Sequence, residues 1–296
     1  MRELYDYGLP FSKLVADNVD ALMDRIDRKK ASLIIIDGLM GEGKTTLGVE
    51  IGQYVELTKS RQVSWHFWKD WKFDLSKQLA LGGIDFQEKL QLCHDSDLHV
   101  VVYDEAGDFG KRGAISAFNR DLNRIFQTFR AYKILVICCL PSFDILDNEI
   151  FKQGVPRLLL NCHGRDLRSG DIRGYGLEEM FYLKRKMKEL VNPMKAYQFV
   201  RPNFRGHFLD LEPGKSAQLH AISIKGKKEV LSKSIIRNQG LICVSEIAKK
   251  LNRSVNWVRQ KLRTMKHFKP VKIYKKTKYY EEQILLVLEE ELKYKT

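Results

Sequence analysis

A phosphate-binding loop is predicted near the start of the chain, between an apolar run and a segment with helical spacing. Residues 38–45 read GLMGEGKT, which fits G-x-x-x-x-G-K-[ST] without a gap. Glycines at this spacing let successive backbone N–H groups converge on a phosphate, and the N-terminus of the following helix adds positive potential. We predict that Lys44 is catalytic and faces the β- and γ-phosphates, and that Thr45 binds Mg²⁺. The other predicted nucleotide-binding residues of the loop are Gly38, Gly41, Glu42, Gly43 and Thr46.

A second motif supplies carboxylates further along the chain. Residues 98–105 read LHVVVYDE, a β-branched run that ends in Asp104 and Glu105. A run that is apolar on both faces is typical of a central parallel strand, whose carboxyl end is where α/β sheets bind ligands. We predict Asp104 as a Mg²⁺ ligand and Glu105 as the base that deprotonates water, which indicates hydrolysis. Since the sequence contains no Asn-Lys-x-Asp guanine-binding motif, ATP is the predicted nucleotide.

The segment after the acidic strand predicts a helix and another buried strand. Residues 115–130 carry apolar side chains at helical spacing, with arginines between them. Residues 133–140, KILVICCL, form the next strand, which we expect between the acidic strand and the phosphate-loop strand. Ser142, at the tip of that strand, is our candidate for contact with the γ-phosphate. An ordinary turn serine is the alternative.

Together these motifs resemble the HerA/FtsK-type P-loop ATPases, particularly their zonula-occludens-toxin-like and archaeal virus or plasmid branch. The likeness covers roughly residues 30 to 150. Many of these enzymes place a Gln after the strand that here ends in Leu140-Pro141-Ser142. The resemblance implies a ring-forming homo-oligomer, such as a hexamer, that acts on DNA, with an arginine of one subunit reaching the next subunit's nucleotide. Arg124 and Arg130, with Arg120, are the candidates for that arginine.

Segments between the motifs predict the rest of the same domain. We expect a strand within 151–162, a basic hairpin over 163–176, an amphipathic helix over 177–191 and a strand over 204–211. The aromatic run SWHFWKDW, at 64–71, could stack on bases. Three tryptophans at this spacing more often pack in a core, which is the interpretation that we favour.

The C-terminal region predicts a helix-turn-helix followed by a hairpin. Residues 244–262 place Ser245 and Ser254 as N-caps of two helices with apolar inner faces. Two β-rich runs over 271–284 resemble a wing, and a closing helix completes what resembles a winged helix-turn-helix. The predicted DNA-binding residues are Arg253, Asn256, Arg259, Gln260 and Arg263 in the helical part, with Lys272, Lys275, Lys276 and Lys278 in the wing.

Charge favours nucleic acid as the partner of this region. The chain has a net charge of +14, and the stretch from Lys249 to Lys278 holds twelve basic residues and no Asp or Glu. Such a one-signed surface suits duplex DNA, because affinity for polyphosphates comes largely from counterion release by Lys and Arg. A protein-docking module with an incidental charged face is the alternative.

Composition sets the class of protein and its compartment. The chain has 296 residues, of which 44% are hydrophobic, and no apolar run approaches a membrane span. Its first residues, MRELYDYGLPFSKL, lack the features of a signal or transit peptide. Five cysteines show no metal-binding spacing, and we therefore expect a reducing, intracellular and cytoplasmic setting.

The sequence thus predicts an α/β P-loop NTPase domain over residues 1–235, with a mainly parallel sheet flanked by helices. A small winged-helix domain that binds DNA follows over 236–296. The predicted function is Mg²⁺-dependent ATP hydrolysis that translocates or remodels duplex DNA, in a viral, plasmid or conjugative setting. Two alternatives stay open: an ATP-switched loader, initiator or transposition helper, and a transcription regulator whose loop senses nucleotide.

Overall fold

The computed structural model divides the chain into two compact units, Met1–Ile224 and Lys225–Thr296. The boundary that we predict from the sequence, between residues 235 and 236, lies outside the described residues. The structure describes residues 8–30, 32–60, 66–104, 132–164, 166, 169–224, 241–265, 270, 272–274, 277–281 and 284–293.

A seven-stranded sheet with the order β2-β3-β4-β1-β5-β6-β7 forms the centre of the first unit. Its strands are β1 Leu33–Asp37, β2 Leu79–Ala80, β3 Val100–Asp104, β4 Leu135–Leu140, β5 Pro156–His163, β6 Ser169–Tyr175 and β7 Phe204–Leu209. The first five strands in this order are parallel, and β6 and β7 add antiparallel. The mainly parallel sheet is therefore confirmed, and β4 lies between the acidic strand β3 and the phosphate-loop strand β1 as predicted.

Helices cover both faces of this sheet. They are α1 Lys13–Asp27, α2 Lys44–Lys59, α3 Leu75–Gln78, α4 Gly83–Asp95, α5 Asn148–Lys152, α6 Leu177–Glu189 and the helical residues 213–224, here α7. Ile34 and Ile36 of β1 pack with α1 and α2 in one core, whereas Leu33 and Ile35 pack with α4, α5 and α6 in the other. Alternate side chains of β1 thus enter opposite cores, which is why the strand is apolar throughout.

Two glycines let α2 lie close against the sheet and its neighbours. A Cβ atom added at Gly48 would lie 3.0 Å from Cys139 Sγ, and one added at Gly52 would lie 2.5 Å from the Phe73 ring. Larger residues would therefore push the helix away. This close packing fixes the N-terminus of α2 at the carboxyl edge of β1 and β4.

The aromatic run packs in the first core, as favoured from the sequence. Phe67 is buried, and Trp68 and Trp71 are partly buried, with their rings stacked at 6.2 Å and 7° between planes. Gln53 of α2 holds this segment, because its Nε2 donates to Phe67 O and Asp70 O at 3.0 and 3.2 Å. Its Oε1 accepts the backbone N–H groups of residues 72 and 73 at 2.8 and 2.9 Å. Trp65 lies outside the described residues.

Three further predicted elements of this unit are present, whereas the helix predicted over 115–130 lies outside the described residues. The strand expected within 151–162 is β5, the helix expected over 177–191 is α6, and the strand expected over 204–211 is β7. The hairpin expected over 163–176 is formed by the antiparallel strands β5 and β6, and its residues 165, 167 and 168 lie outside the described residues. Two short 3₁₀ turns, Phe143–Ile145 and Pro193–Gln198, follow β4 and α6.

The second unit has a helix–turn–helix and a three-stranded antiparallel sheet with the order β8-β10-β9. Its elements are β8 Leu241–Cys243, α8 Val244–Lys250, α9 Val255–Thr264, β9 Lys272–Tyr274, β10 Thr277–Glu281 and α10 Ile284–Lys293. Buried Ile247, Val258 and Leu288, from three helices, share one core.

The predicted N-caps of the two helices have different outcomes. Ser254 caps α9 as predicted, since its Oγ accepts the Trp257 N–H at 3.1 Å. The prediction for Ser245 is wrong, because β8 leads directly into α8 and Cys243 occupies the N-cap position. The Cys243 N–H donates to Glu246 Oε2 at 3.2 Å. In the part of the chain that the structure describes, no helix has both the length and the apolar character needed to span a bilayer.

Candidate nucleotide site

The loop between β1 and α2 has the backbone of a phosphate cradle. Gly38, Gly41 and Gly43 adopt φ values of 143°, 89° and 81°, which side chains with a Cβ atom rarely tolerate. A Cβ atom at Gly38 would also collide with the carbonyl oxygen of Cys162 in β5. Gly43 is the left-handed N-cap of α2, so the unpaired N–H groups of the helix begin where the loop ends. Backbone N–H groups arranged in this way can bind an anion.

Lys44, the first residue of α2, lies back over this loop. Its Nζ donates to the carbonyl oxygens of Gly38 and Leu39, each at 2.8 Å. An ammonium group held by two neutral carbonyls can exchange them for phosphate oxygens, which bind the charge more strongly. Thr45 beside it is partly exposed, whereas Thr46 is buried with 7% of its surface accessible. Thr45 is thus the more accessible of the two threonines, and Glu42 in the loop is also partly exposed.

The acidic strand ends beside the start of α2. Asp104, the last residue of β3, is partly buried and is in register with Cys139 of β4. The Cys139 thiol in turn donates to the backbone carbonyl of Lys44 at 3.5 Å. Burial raises the pKa of this thiol well above its ordinary value, so it stays protonated. One side chain of β4 therefore separates Asp104 from the first turn of α2.

The donor set at this edge fits a magnesium ion shared with phosphates. Within the described ranges, no cluster of three or more His, Cys, Asp or Glu side chains could hold a metal ion by itself. Mg²⁺ usually takes one or two protein oxygens and completes its shell with water and substrate phosphates. Thr45 and Asp104 match that requirement in number and chemistry.

Several predicted site residues lie outside the described residues, and their roles stay predictions. They are Glu105, Arg120, Arg124 and Arg130 around the nucleotide, and Lys275 and Lys276 in the hairpin.

Ser142 lies two residues after the end of β4, at the tip where the sequence places it. Its backbone is extended, with φ −156° and ψ 140°, and its Oγ is buried. No hydrogen-bond partner for this hydroxyl is found among the described residues. A buried hydroxyl in that state is costly unless a ligand or water satisfies it.

Asp37 is a buried charged residue that the sequence analysis missed. It ends β1 immediately before Gly38 and has no accessible surface. Its Oδ2 accepts the Phe143 N–H at 3.1 Å and the Tyr197 hydroxyl, and its Oδ1 accepts Asn161 Nδ2 at 3.0 Å. Burial raises the pKa of Asp37 to about 6, although these three donors act in the opposite direction. A carboxylate at the end of an otherwise apolar strand was the available signal.

A polar face is exposed on α9 in the second unit. Asn256, Arg259, Gln260 and Arg263 are all exposed along it, as predicted from the sequence pattern. The guanidinium of Arg253, in the turn before α9, lies 5.9 Å from the centre of the Trp257 ring. Lys278 of β10 is exposed, whereas Lys272 is placed in β9 by its backbone alone. The exposed side chains of this face are therefore polar or positively charged.

No protein-family model matches this sequence, and no curated protein is significantly similar to it. Solved structures with partial likeness include a HORMA–CdnC–Trip13 complex of E. coli MS115-1, at 13% identity over 62% of this chain and 72% of that chain, with a TM-score of 0.30. Another is the N-terminal domain of zonular occludens toxin from Neisseria meningitidis, at 14% identity, 50% and 84% coverage and a TM-score of 0.30. The flagellar accessory protein FlaH from Methanocaldococcus jannaschii matches at 15% identity, 53% and 84% coverage and a TM-score of 0.25. All three likenesses are remote, with identities of 13–15% and TM-scores of 0.25–0.30.

Proposed function

We propose that the first unit hydrolyses ATP with Mg²⁺ and that the second unit binds duplex DNA, so that hydrolysis moves or remodels the DNA. The observation that carries the ATPase proposal is the glycine loop at the N-terminus of α2. Asp104 is separated from the first turn of this helix by one residue of β4, Cys139. This arrangement provides backbone donors, a lysine and a carboxylate at one edge of a parallel sheet, where such folds bind ligands.

In this proposal each residue of the loop has a separate task. The N–H groups of the loop and the first turn of α2 bind the phosphates, and Lys44 leaves its two carbonyl partners to neutralise phosphate charge. Thr45 and Asp104 hold Mg²⁺, which lowers the charge on the phosphate oxygens when bound. Glu105 accepts a proton from the attacking water. Ser142, whose hydroxyl is buried after β4, donates to the γ-phosphate.

Assembly into a ring is part of the proposal. An arginine supplied by a neighbouring subunit would stabilise charge at the transferred phosphate, and Arg120, Arg124 and Arg130 are the candidates. Mixing an Arg→Ala subunit with a Lys44→Ala subunit should restore some sites, because each lacks a different half of the shared site. A chain that stays monomeric with ATP and DNA and retains full activity would exclude this arrangement.

Glu105→Gln tests the hydrolysis step. The variant should bind ATP and Mg²⁺ as the wild type does and lose turnover, because an amide cannot accept the proton from water. Glu88→Gln is the matched control, since Glu88 is exposed on α4, and it should leave hydrolysis unchanged. Turnover of Glu105→Gln near the wild-type rate would show that Glu105 is not the base.

The DNA part of the proposal is supported by the exposed face of α9 and the basic stretch that contains it. The double variant Arg259→Glu/Arg263→Glu should weaken duplex binding and reduce the slope of log K against log salt by about 2, since each phosphate contact contributes about 0.9. Arg28→Glu/Lys30→Glu changes the charge equally at exposed positions of the first unit and is the control. Equal losses from both pairs would indicate an effect of net charge alone.

Hydrolysis measured against DNA length separates the motor from the alternatives. A translocating motor should be stimulated by duplexes without sequence preference, more strongly as they lengthen. A loader or a nucleotide-sensing regulator should prefer one sequence and turn over slowly.

The five cysteines are all free and buried, which fits the reducing intracellular setting of this proposal.

A further inference from the structure

We propose that Asp37 is a positioning residue that holds the Ser142 segment against the phosphate loop. The inference rests on the proposed ATPase function and adds a residue that neither nucleotide motif includes. Asp37 touches no predicted phosphate site itself. It acts through the chain on either side of it and through the backbone of Phe143.

The contacts of Asp37 join four parts of the first unit at one buried point. Its backbone leads directly into Gly38, whose α-carbon packs against the carbonyl of Cys162 in β5. Its carboxylate binds the 3₁₀ turn after β4, the end of β5 and the 3₁₀ turn after α6, through Phe143, Asn161 and Tyr197. The stem of the phosphate loop and the segment after β4 are therefore tied to the same side chain.

Ser142 precedes the tied residue by one position. Because the Phe143 N–H is held by Asp37, the peptide that joins Ser142 to Phe143 is held as well. The Ser142 hydroxyl is buried at the carboxyl edge of the sheet, with no partner among the described residues. A hydroxyl kept in place without a partner is positioned for a ligand atom, and the neighbouring loop predicts a phosphate.

The chemistry of the cluster requires a carboxylate. All three partners donate, through an amide N–H, a side-chain amide and a phenol, so the central group must only accept. An ionised Asp satisfies this, whereas the NH₂ of an Asn would face one of the donors. Asp37→Asn therefore keeps the volume and weakens the hold on the segment after β4.

The hydrogen bonds to Tyr197 and Asn161 do not by themselves explain why a charged residue is buried at position 37. A buried carboxylate is costly. If position 37 were apolar, Tyr197 and Asn161 could also be apolar residues, and no buried charge would be needed. The Phe143 N–H, in contrast, belongs to the backbone and cannot be replaced. A carboxylate here thus secures one backbone group next to the predicted γ-phosphate contact.

A double-mutant cycle on the full chain tests this inference. The variants are Asp37→Asn, Ser142→Ala and the combination, with Asp27→Asn as the control because Asp27 lies in an exposed ion pair with Lys59. ATP affinity is measured by equilibrium binding and kcat by steady-state hydrolysis. Thermal unfolding monitors folding of each variant, and Tyr197→Phe provides a second, milder change that keeps the carboxylate.

If Asp37 acts through Ser142, Asp37→Asn lowers kcat by roughly ten- to a hundredfold, because misplacing a group at the site by about an ångström has a cost of that size. The same substitution changes ATP affinity by less than about threefold. In the Ser142→Ala background the same substitution then lowers kcat by less than about twofold, because the group that it positions is already gone. Tyr197→Phe has a smaller effect in the same direction, which also disappears in the Ser142→Ala background.

The outcomes separate this inference from the proposed function. Full additivity of Asp37→Asn and Ser142→Ala would overturn the inference and leave the ATPase intact. Parallel losses of affinity and kcat, with a lowered unfolding temperature, would also overturn it, since they indicate a purely structural carboxylate. If the wild-type chain does not hydrolyse ATP, or if its hydrolysis does not depend on Lys44, the proposed function and this inference are overturned together.

Discussion

The buried carboxylate of Asp37 should make the stability of the chain depend on pH in an unusual direction. An ordinary Asp has a pKa of 3.8, whereas burial raises that of Asp37 to about 6 in the folded chain. Between these values the folded chain binds more protons than the unfolded chain, so stability is highest below the unfolded pKa and is lost as pH rises through the folded pKa. Most salt-bridged carboxylates act in the opposite sense.

The size of the effect follows from the shift. A displacement of roughly two pH units, at about 1.36 kcal/mol each, amounts to about 3 kcal/mol in the free energy of unfolding. Asp37→Asn removes the titration while keeping the shape. The free energy of unfolding of the wild type, minus that of the variant, should therefore fall by about 3 kcal/mol between pH 3 and pH 8.

Urea unfolding followed by tryptophan fluorescence, at several pH values, measures this difference. Other titrating groups are common to both chains and cancel in the subtraction. Asp27→Asn is the control, because hydrogen bonding to Lys59 lowers the pKa of Asp27 and so gives the pH dependence of stability the opposite sign. Asp27 is exposed, so its contribution to the free energy of unfolding is small. A difference between wild type and Asp37→Asn that is constant, or that rises with pH, would refute the raised pKa of Asp37.

Two further predictions concern the packing of α2. Gln53→Ala should lower the free energy of unfolding by about 2–4 kcal/mol in urea titrations, because it leaves four backbone groups of residues 67–73 without their partner. A change under about 0.5 kcal/mol would contradict this prediction. Gly52→Ala should cost about 1–3 kcal/mol, since the new Cβ atom would lie 2.5 Å from the Phe73 ring. Gly214→Ala is the control, since a Cβ atom there meets nothing within 4 Å, and equal effects of the two substitutions would rule out the steric explanation.

Features carried by local patterns could be predicted from the sequence. The glycine loop, the acidic strand and the strand β4 between them are each read from a short run of residues. The exposed face of α9 follows from helical spacing in the same way. Such features depend on neighbours in the chain, and they agree with the structure wherever it describes them.

Asp37 could not be predicted because its partners are distant in the chain. Its donors belong to residues 143, 161 and 197, which the sheet order and the turn after α6 bring together. The need for glycine at position 52 likewise depends on Phe73, in a separate segment. Ser245 was predicted as a cap by residue type alone, whereas the end of β8 decides where α8 begins.

The measurement closest to the central claim is ATP binding and Mg²⁺-dependent hydrolysis by wild type, Lys44→Ala and Lys59→Ala. The two lysines lie at opposite ends of α2, and Lys59 forms an exposed ion pair with Asp27. Lys44→Ala should lose roughly a hundredfold in affinity, as expected for a charged hydrogen bond to phosphate, together with hydrolysis. Lys59→Ala should stay within about threefold of wild type, because exposed ion pairs contribute little. Wild-type affinity and turnover in Lys44→Ala, or no nucleotide binding by the wild type, would contradict the assignment of the loop as the ATP site.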